Sequence, residues 1–310
     1  MTRALITVQK FGHSFSVYDV TDGRELARAE LPQYPHEFAL DEQRGIAYVG
    51  HYGIPTQFSE GEGGYAVLAI DIRSAQVLRS LDCGAEYRRI HGIATDALGR
   101  VFVLSESASA LLVFERPWQD LQPQIVKPSG GERSHILAVS RDGKCAYSAN
   151  LMSDTVTLLH PFGPDVAPKS LKTGSRPEGL ALSADESRLY VTNRSSNTLV
   201  AVDTASWTIS GEVGTGLDPT RAVVTRSGRV LVTHYGELTI GVYSSDLQKR
   251  EVLIEVPAHP IAVGIDATDD RIYATLKDAT VAVIDPSSWA VERTFPVGAE
   301  PDGVALVDWS

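Results

Sequence analysis

Three histidines and a glutamate, His36, His91, His135 and Glu178, recur along the chain at separations of 55, 44 and 43 residues, each at the head of a short apolar run. Neutral imidazoles with a carboxylate suit Zn, Mn, Fe or Ni, provided that they converge on one centre with bonds of about 2.0–2.2 Å. A divalent ion held there would polarise a carbonyl or a carboxylate. The competing reading is that these side chains are solvated or bond backbone carbonyls. Two residues earlier stand Arg89, Arg133 and Arg176, with Tyr34 in the first copy. In an extended chain residues i and i−2 point the same way. These side chains, with Arg194 close by, are therefore expected to fringe the same mouth and grip a small anion, because guanidinium forks suit carboxylates and phosphates. The alternative pairs the arginines with Glu37, Glu86, Glu132 or Asp218 in rim salt bridges.

The elements that must position these residues repeat. Pro35-His-Glu-Phe-Ala-Leu, Ile90-His-Gly-Ile-Ala-Thr, Ser134-His-Ile-Leu-Ala-Val, Pro177-Glu-Gly-Leu-Ala-Leu, Pro219-Thr-Arg-Ala-Val-Val, Pro260-Ile-Ala-Val-Gly-Ile and Pro301-Asp-Gly-Val-Ala-Leu start 55, 44, 43, 42, 41 and 41 residues apart. A near-constant period of this size signals a repeat architecture. Each phrase runs into a polar turn, as at Asp142-Gly143, and then a second strand such as Leu189-Tyr-Val-Thr-Asn193. A third follows, as in Thr198-Leu-Val-Ala-Val-Asp203, and a fourth, as in Thr208-Ile-Ser-Gly-Glu-Val213. Four β-rich runs per period, with no sustained helical periodicity, predict an all-β chain of antiparallel strands. Repeated radially, they make a seven-bladed β-propeller. The chain opens on second-, third- and fourth-strand sequences (Ala4–Val8, Ser14–Asp19, Glu25–Glu30) and finishes on a first-strand sequence, Pro301–Val307. One blade must then be built from both termini, which removes the open edges. Residues 1–310 read as a single domain.

Leu189-Tyr190-Val191-Thr192-Asn193 carries a resemblance to the YVTN-repeat β-propellers, which extends over the whole chain. That broad group resembles virginiamycin B lyase and the lactonase-type propellers, and it also holds many proteins with no assigned activity. The resemblance implies the fold, and a metal-dependent lyase or a hydrolase as the activity. The motif itself speaks for fold, not function.

Antiparallel order places the start of each first strand and the end of each second strand on one rim. The second-strand ends read His51, Ser105, Asn150, Asn193, His234 and Leu276. His51 and His234, in matching His-Tyr-Gly tripeptides, are candidates for acid or base; the alternative is that they replace Asn in bonding the loop backbone. Arg221 stands where three other phrases have Gly, so it is expected to reach into the channel. The first period is long because of an insertion at 52–64, glycine-rich and aromatic, which suits a lid on the same face as well as an ordinary surface loop.

The net charge of −11 argues against nucleic acid or an anionic membrane as the main partner. No apolar run approaches the roughly 18 residues of a membrane span, and the N-terminal run is too short for a signal peptide. Cys83 and Cys145 form no metal or disulfide pattern, so the expected setting is cytoplasmic, and a closed ring predicts a monomer. No nucleophile elbow, Walker loop or dinucleotide fingerprint is present. The leading functional reading is a lyase or hydrolase acting on a small anionic substrate. Its metal would sit on His36, His91, His135 and Glu178, with the anion on the arginines and Tyr34, and with His234, His51 or Arg221 in the chemistry. A binding or scaffolding propeller without chemistry is the alternative, and an iron oxygenase or isomerase a third.

Overall fold

The computed structural model describes residues 3–164, 166–266 and 271–309. It holds seven four-stranded antiparallel sheets and no helix among the described residues. In the first blade the strands are Pro35–Asp41, Ile46–His51, Ala66–Asp71 and Val77–Asp82, running outward in chain order. The next five blades begin at Ile90, Ser134, Pro177, Pro219 and Pro260. The seventh joins the C-terminal strand Pro301–Asp308, innermost, to Arg3–Gln9, Ser14–Asp19 and Glu25–Glu30. The pairing runs from Arg3 opposite Asp308 to Gln9 opposite Pro301, so the ring closes as the sequence predicts.

The alternation along each strand explains the packing. Second and third strands are covered on both sides, as in Thr198–Asp203, whose four central residues are all buried. Fourth strands such as Val77–Asp82 are mostly exposed. The buried apolar side chains fall into seven clusters, each joining two neighbouring blades. One of them packs Ala4, Ile6 and Phe15 of the seventh blade against Val49 and Ile70 of the first. Burying one such side chain contributes about 1.5–3 kcal/mol, and these layers hold the blades to each other, joined by a few inter-blade hydrogen bonds such as Thr95 Oγ1 to Leu40 O and Thr192 Oγ1 to Thr220 O.

Every first strand carries a bulge at its head. Pro35 pairs with His51 but Phe38 with Val49, and Pro219 with His234 but Ala222 with Val232, one extra residue on the inner strand each time. The same shift occurs in the other five blades. A bulge re-aims the side chains at that point. Second-strand threonines bond the amide it frees: the N–H groups of Arg221 and Ala262 donate to Thr233 Oγ1 and Thr275 Oγ1, both at 3.0 Å.

Candidate active site

The residue preceding each bulged strand takes a left-handed backbone in six blades: Tyr34, Arg89, Arg133, Arg176, Asp218 and Glu300 have φ of 56°, 57°, 51°, 55°, 59° and 49°. Their carbonyls accept N–H groups from the loop beyond the second strand, as in Leu151 to Arg133 at 3.1 Å and Arg194 to Arg176 at 2.9 Å. This corrects the expectation built on i, i−2 alternation, which needs extended backbone. At these corners the side chains splay onto the rim, and none of Tyr34, Arg89, Arg133 or Arg176 lines the central cavity.

Arg89 and Arg133, with the neighbouring Arg88, instead fasten the insertion. Arg89 donates to Gln57 O (3.4 Å) and Gly61 O (3.0 Å), Arg133 to Gln57 O (3.2 Å), and Arg88 to Gly63 O (3.1 Å). The Arg133 and Arg176 guanidiniums lie 6.0 and 5.5 Å from the Phe58 ring. Thr56, Gln57 and Phe58 thereby form part of the cavity wall. Tyr34 packs against Phe11 and His13, and its N–H donates to His13 Nδ1.

The second-strand ends point into their own blades. His234 is fully buried: its Nδ1 lies 2.8 Å from Thr239 Oγ1, and its Nε2 accepts from Gly216 N–H at 3.2 Å and lies 3.1 Å from Tyr243 Oη. Burial pushes its pKa down to about 4. Asn193 makes matching bonds to Thr173 and Thr198. His51 sits against Gly64 at the foot of the insertion. Neither histidine lines the cavity, which corrects the expectation that both face the pore mouth: on a strand the side chains alternate, so the next residue faces the channel. That register reads Lys10, Tyr52, Glu106, Leu151, Arg194, Tyr235 and Lys277, and Lys10, Tyr52, Arg194 and Tyr235 all line the cavity.

The cavity, of 300 Å³, also receives His36, His135, Glu178, Arg221 and Asp302 from the bulged strand heads. His91 lies at its floor with no exposed surface and no hydrogen-bond partner on either ring nitrogen. Its ring is flanked by His36 (centroids 4.1 Å apart) and His135 (3.5 Å, planes inclined by 31°), with Tyr52 edge-on at 5.4 Å. His36, Glu37 and His91 each offer a ligand atom, and these lie within 4.8 Å of one another. His135 and Glu178 fall outside that set among the described residues. The His135 ring packs 3.5 Å from His91 at an inclination of 31°, and its Nδ1 meets Glu106 Oε2 at 3.3 Å. Glu178 is drawn to Arg194, with Oε1 2.6 Å from Nη1, and Arg194 is itself bound through two bonds to Asp218.

Glu37, expected on the rim as a salt-bridge partner, lies instead on the channel wall. It occupies the bulge step at which Gly179 approaches the next blade so closely that a Cβ would lie 2.1 Å from Thr220 O. In the first and fifth blades that step holds Glu37 and Arg221, which pair across the channel, with Asp302 Oδ1 3.4 Å from Arg221. Lys10 adds contacts to Glu300 (2.9 Å) and Asp302 (3.9 Å), and His36 Nδ1 lies 3.0 Å from Asp302 Oδ2, though out of line for a hydrogen bond.

Burial drives the His36 and His91 pKa values well down, so both rings favour the neutral form. It also raises Glu37, against the opposing charge of Arg221. Asp302 is held below its ordinary value: burial works against this, but the facing positive charge, of which we assign the lasting part to Lys10 and Arg221, prevails. Around the channel Glu37, Glu106, Glu178, Asp218, Glu300 and Asp302 face Lys10, Arg194 and Arg221, and Arg133 and Arg176 lie 4.0 Å from Glu106 and Glu178. Charges of both signs therefore meet at the mouth, and Arg133 and Arg176 reach from it to the insertion.

No family model matches the chain, and no curated protein matches it significantly. Solved structures do. A functionally unknown protein from Desulfotomaculum acetoxidans superposes with a TM-score of 0.80 at 13% identity, covering 98% of both chains. A candidate 6-phosphogluconolactonase from Bacteroides uniformis gives 0.78 at 12% identity, over 99% of this chain and 100% of that one. The dihydro-heme d1 dehydrogenase NirN, in complex with DHE, gives 0.69 at 15% identity; 94% of this chain corresponds to 63% of NirN. At these identities the likeness is one of fold. No helix of the described residues is long and apolar enough to cross a membrane.

Proposed function

We propose that the chain is a cytoplasmic, monomeric, metal-dependent lyase or hydrolase of the YVTN-repeat propellers, acting on a small anionic molecule at the mouth of the channel. The observation that carries this reading is His91, whose two ring nitrogens are buried without a partner beside the neutral ring of His36 and the carboxylate of Glu37. An unsatisfied buried polar atom costs about 1–3 kcal/mol, and native proteins keep such atoms for strain, for a catalytic role, or where a water or ion meets them. An imidazole pair with a carboxylate is a donor set for Zn, Mn, Fe or Ni. The ion in turn supplies the positive charge that an anionic substrate needs there, and as a Lewis acid it would polarise a carbonyl or lower the pKa of a water. Arg221 and Lys10 stand beside it to orient the anionic group. The likeness to the candidate lactonase adds weight to hydrolysis of a small ester-like substrate, by fold only.

The test is metal analysis of the chain purified without an affinity tag. Stoichiometric divalent metal is expected in the wild type, with loss in His91→Ala and Glu37→Gln. A wild type that carries no such metal, and that gains no thermal stability from added Zn, Mn, Fe or Ni, overturns the reading. One observation favours a non-catalytic binding propeller instead: Arg221 already neutralises Glu37. On that reading His91→Ala and Arg221→Leu leave every bound partner in place.

A further inference from the structure

His135 differs from the two histidines beside it. Its Nδ1 is anchored, 3.3 Å from Glu106 Oε2, and the same oxygen accepts the Tyr52 hydroxyl at 2.8 Å. Glu106 is 2% exposed, Tyr52 1% and His135 6%. An ionised carboxylate can only accept hydrogen bonds, so the proton on the neutral imidazole belongs on Nδ1, and Nε2 is left as a bare lone pair. His135 lines the cavity, and its Nε2 is not among the buried atoms that lack partners. Three blades contribute one residue each: Tyr52 from the first, Glu106 from the second and His135 from the third. A buried carboxylate that fixes the tautomer and orientation of an imidazole, whose other nitrogen faces substrate space, is the arrangement that proton-transfer histidines use. The Tyr52 ring also packs edge-on against His36 and His91, so the carboxylate that orients His135 is tied to the same wall as the candidate metal ligands.

We propose that His135 Nε2 is the proton-transfer atom of the cavity and that Glu106, held by Tyr52, is its positioning residue. The proposal rests on the cavity being a reaction site, as set out above, and it takes His135 out of the metal's donor set. In hydrolysis of an ester-type substrate, the O–H bond of water breaks as its proton passes to Nε2, and the freed oxygen pair forms the new bond to the carbonyl carbon. The Nδ1–H bond stays intact against Glu106, whose negative charge offsets the imidazolium. When the tetrahedral adduct collapses, the bond from that carbon to the leaving oxygen breaks, and Nε2 returns the proton to that oxygen, so the protein ends the cycle unchanged.

Two measurements on the full-length chain test this without a known substrate. Nitrogen-15 spectra of the histidine rings are expected to show His135 as the Nδ1–H tautomer. Acylation by diethyl pyrocarbonate, mapped by peptide mass, is expected at His135 and not at the fully buried His91 and His234. Glu106→Leu removes the acceptor, and acylation of His135 is expected to slow roughly tenfold, the size typical of losing a residue that orients a site histidine, while metal content stays at the wild-type level. If that variant does not fold, the isosteric Glu106→Gln is expected to slow the reaction by a smaller factor. A wild-type His135 carrying its proton on Nε2, or an unchanged acylation rate in a folded Glu106 variant, would each overturn the assignment. A wild type without metal but with the Nδ1–H form of His135 would sink the metal reading alone.

Discussion

His91 and His234 are the same residue type, both with no exposed surface, and they stand in opposite relations to their surroundings. His234 closes on a hydroxyl, a backbone amide and a tyrosine within its own blade. His91 sits on the channel floor between two other imidazoles, and neither of its nitrogens has a partner. The difference teaches that burial of a histidine does not by itself mark a site. The strand register decides which way the ring points. A ring pointing into a blade meets hydroxyls and amides supplied by the repeat, whereas a ring pointing to the axis meets only what the other blades send there.

The largest expected effect contrasts the two directly. His234→Ala should cost about 3–4 kcal/mol in denaturant unfolding, because it leaves a buried amide and hydroxyls unbonded and opens a cavity. His91→Ala should cost less, about 1–2 kcal/mol in the absence of metal, since it opens a cavity but loses no hydrogen bond and removes two unpaired nitrogens. Equal losses at the two sites would break the comparison.

A smaller effect is set by pH. The His234 pKa is lowered in the fold to about 4, against an unfolded value near 6.5. Above that unfolded value both states are neutral there, and the contribution is fully present. As pH falls from about 6.5 towards 4 the unfolded chain takes up a proton that the fold refuses, and about 2–3 kcal/mol is lost. Proton uptake would take away the lone pair that accepts Gly216 N–H. His234→Asn, the residue that the repeat carries at Asn150 and Asn193, should flatten that limb of the stability curve relative to the wild type. A limb of unchanged slope would place the titration elsewhere.

The smallest effect concerns the rim. Arg89→Ala should change global stability by less than about 1 kcal/mol, since it removes two partly exposed hydrogen bonds. Amide exchange in residues 54–63 should nevertheless speed up, because those bonds fasten the insertion over the cavity. Unchanged exchange there would show that Phe58 and the backbone turn suffice to hold it.

Much of this was legible in the residues. The seven phrases, their spacing, the split seventh blade and the shared rim follow from periodicity and turn chemistry, which are local properties repeated along the chain. The first-slot residues His36, His91, His135 and Glu178 could be lined up for the same reason. Three things could not. The left-handed corners at Arg89, Arg133 and Arg176 overrode the alternation from which their direction was inferred. The bulges put Glu37 and Arg221 on the channel wall beside their neighbours. And one step along the second strand exchanged His51 and His234 for Tyr52 and Tyr235, with Glu106 in the same register; comparing that register across the copies would have exposed its odd charge and aromatic content.

By itself the sequence determined the architecture, since each blade's pattern of apolar alternation and turns specifies four strands, and seven copies leave ring closure as the way to cover every edge. Only the tertiary structure decided which chemical groups meet. Glu37 and Arg221 are 184 residues apart, and Tyr52, Glu106 and His135 come from three blades. Their encounter depends on how the bulges and corners turn each strand head about a common axis, a geometry no single repeat contains. It set His135 against a carboxylate, Glu178 against an arginine and the rim arginines against the insertion, and it left both ring nitrogens of His91 without a partner among the described residues.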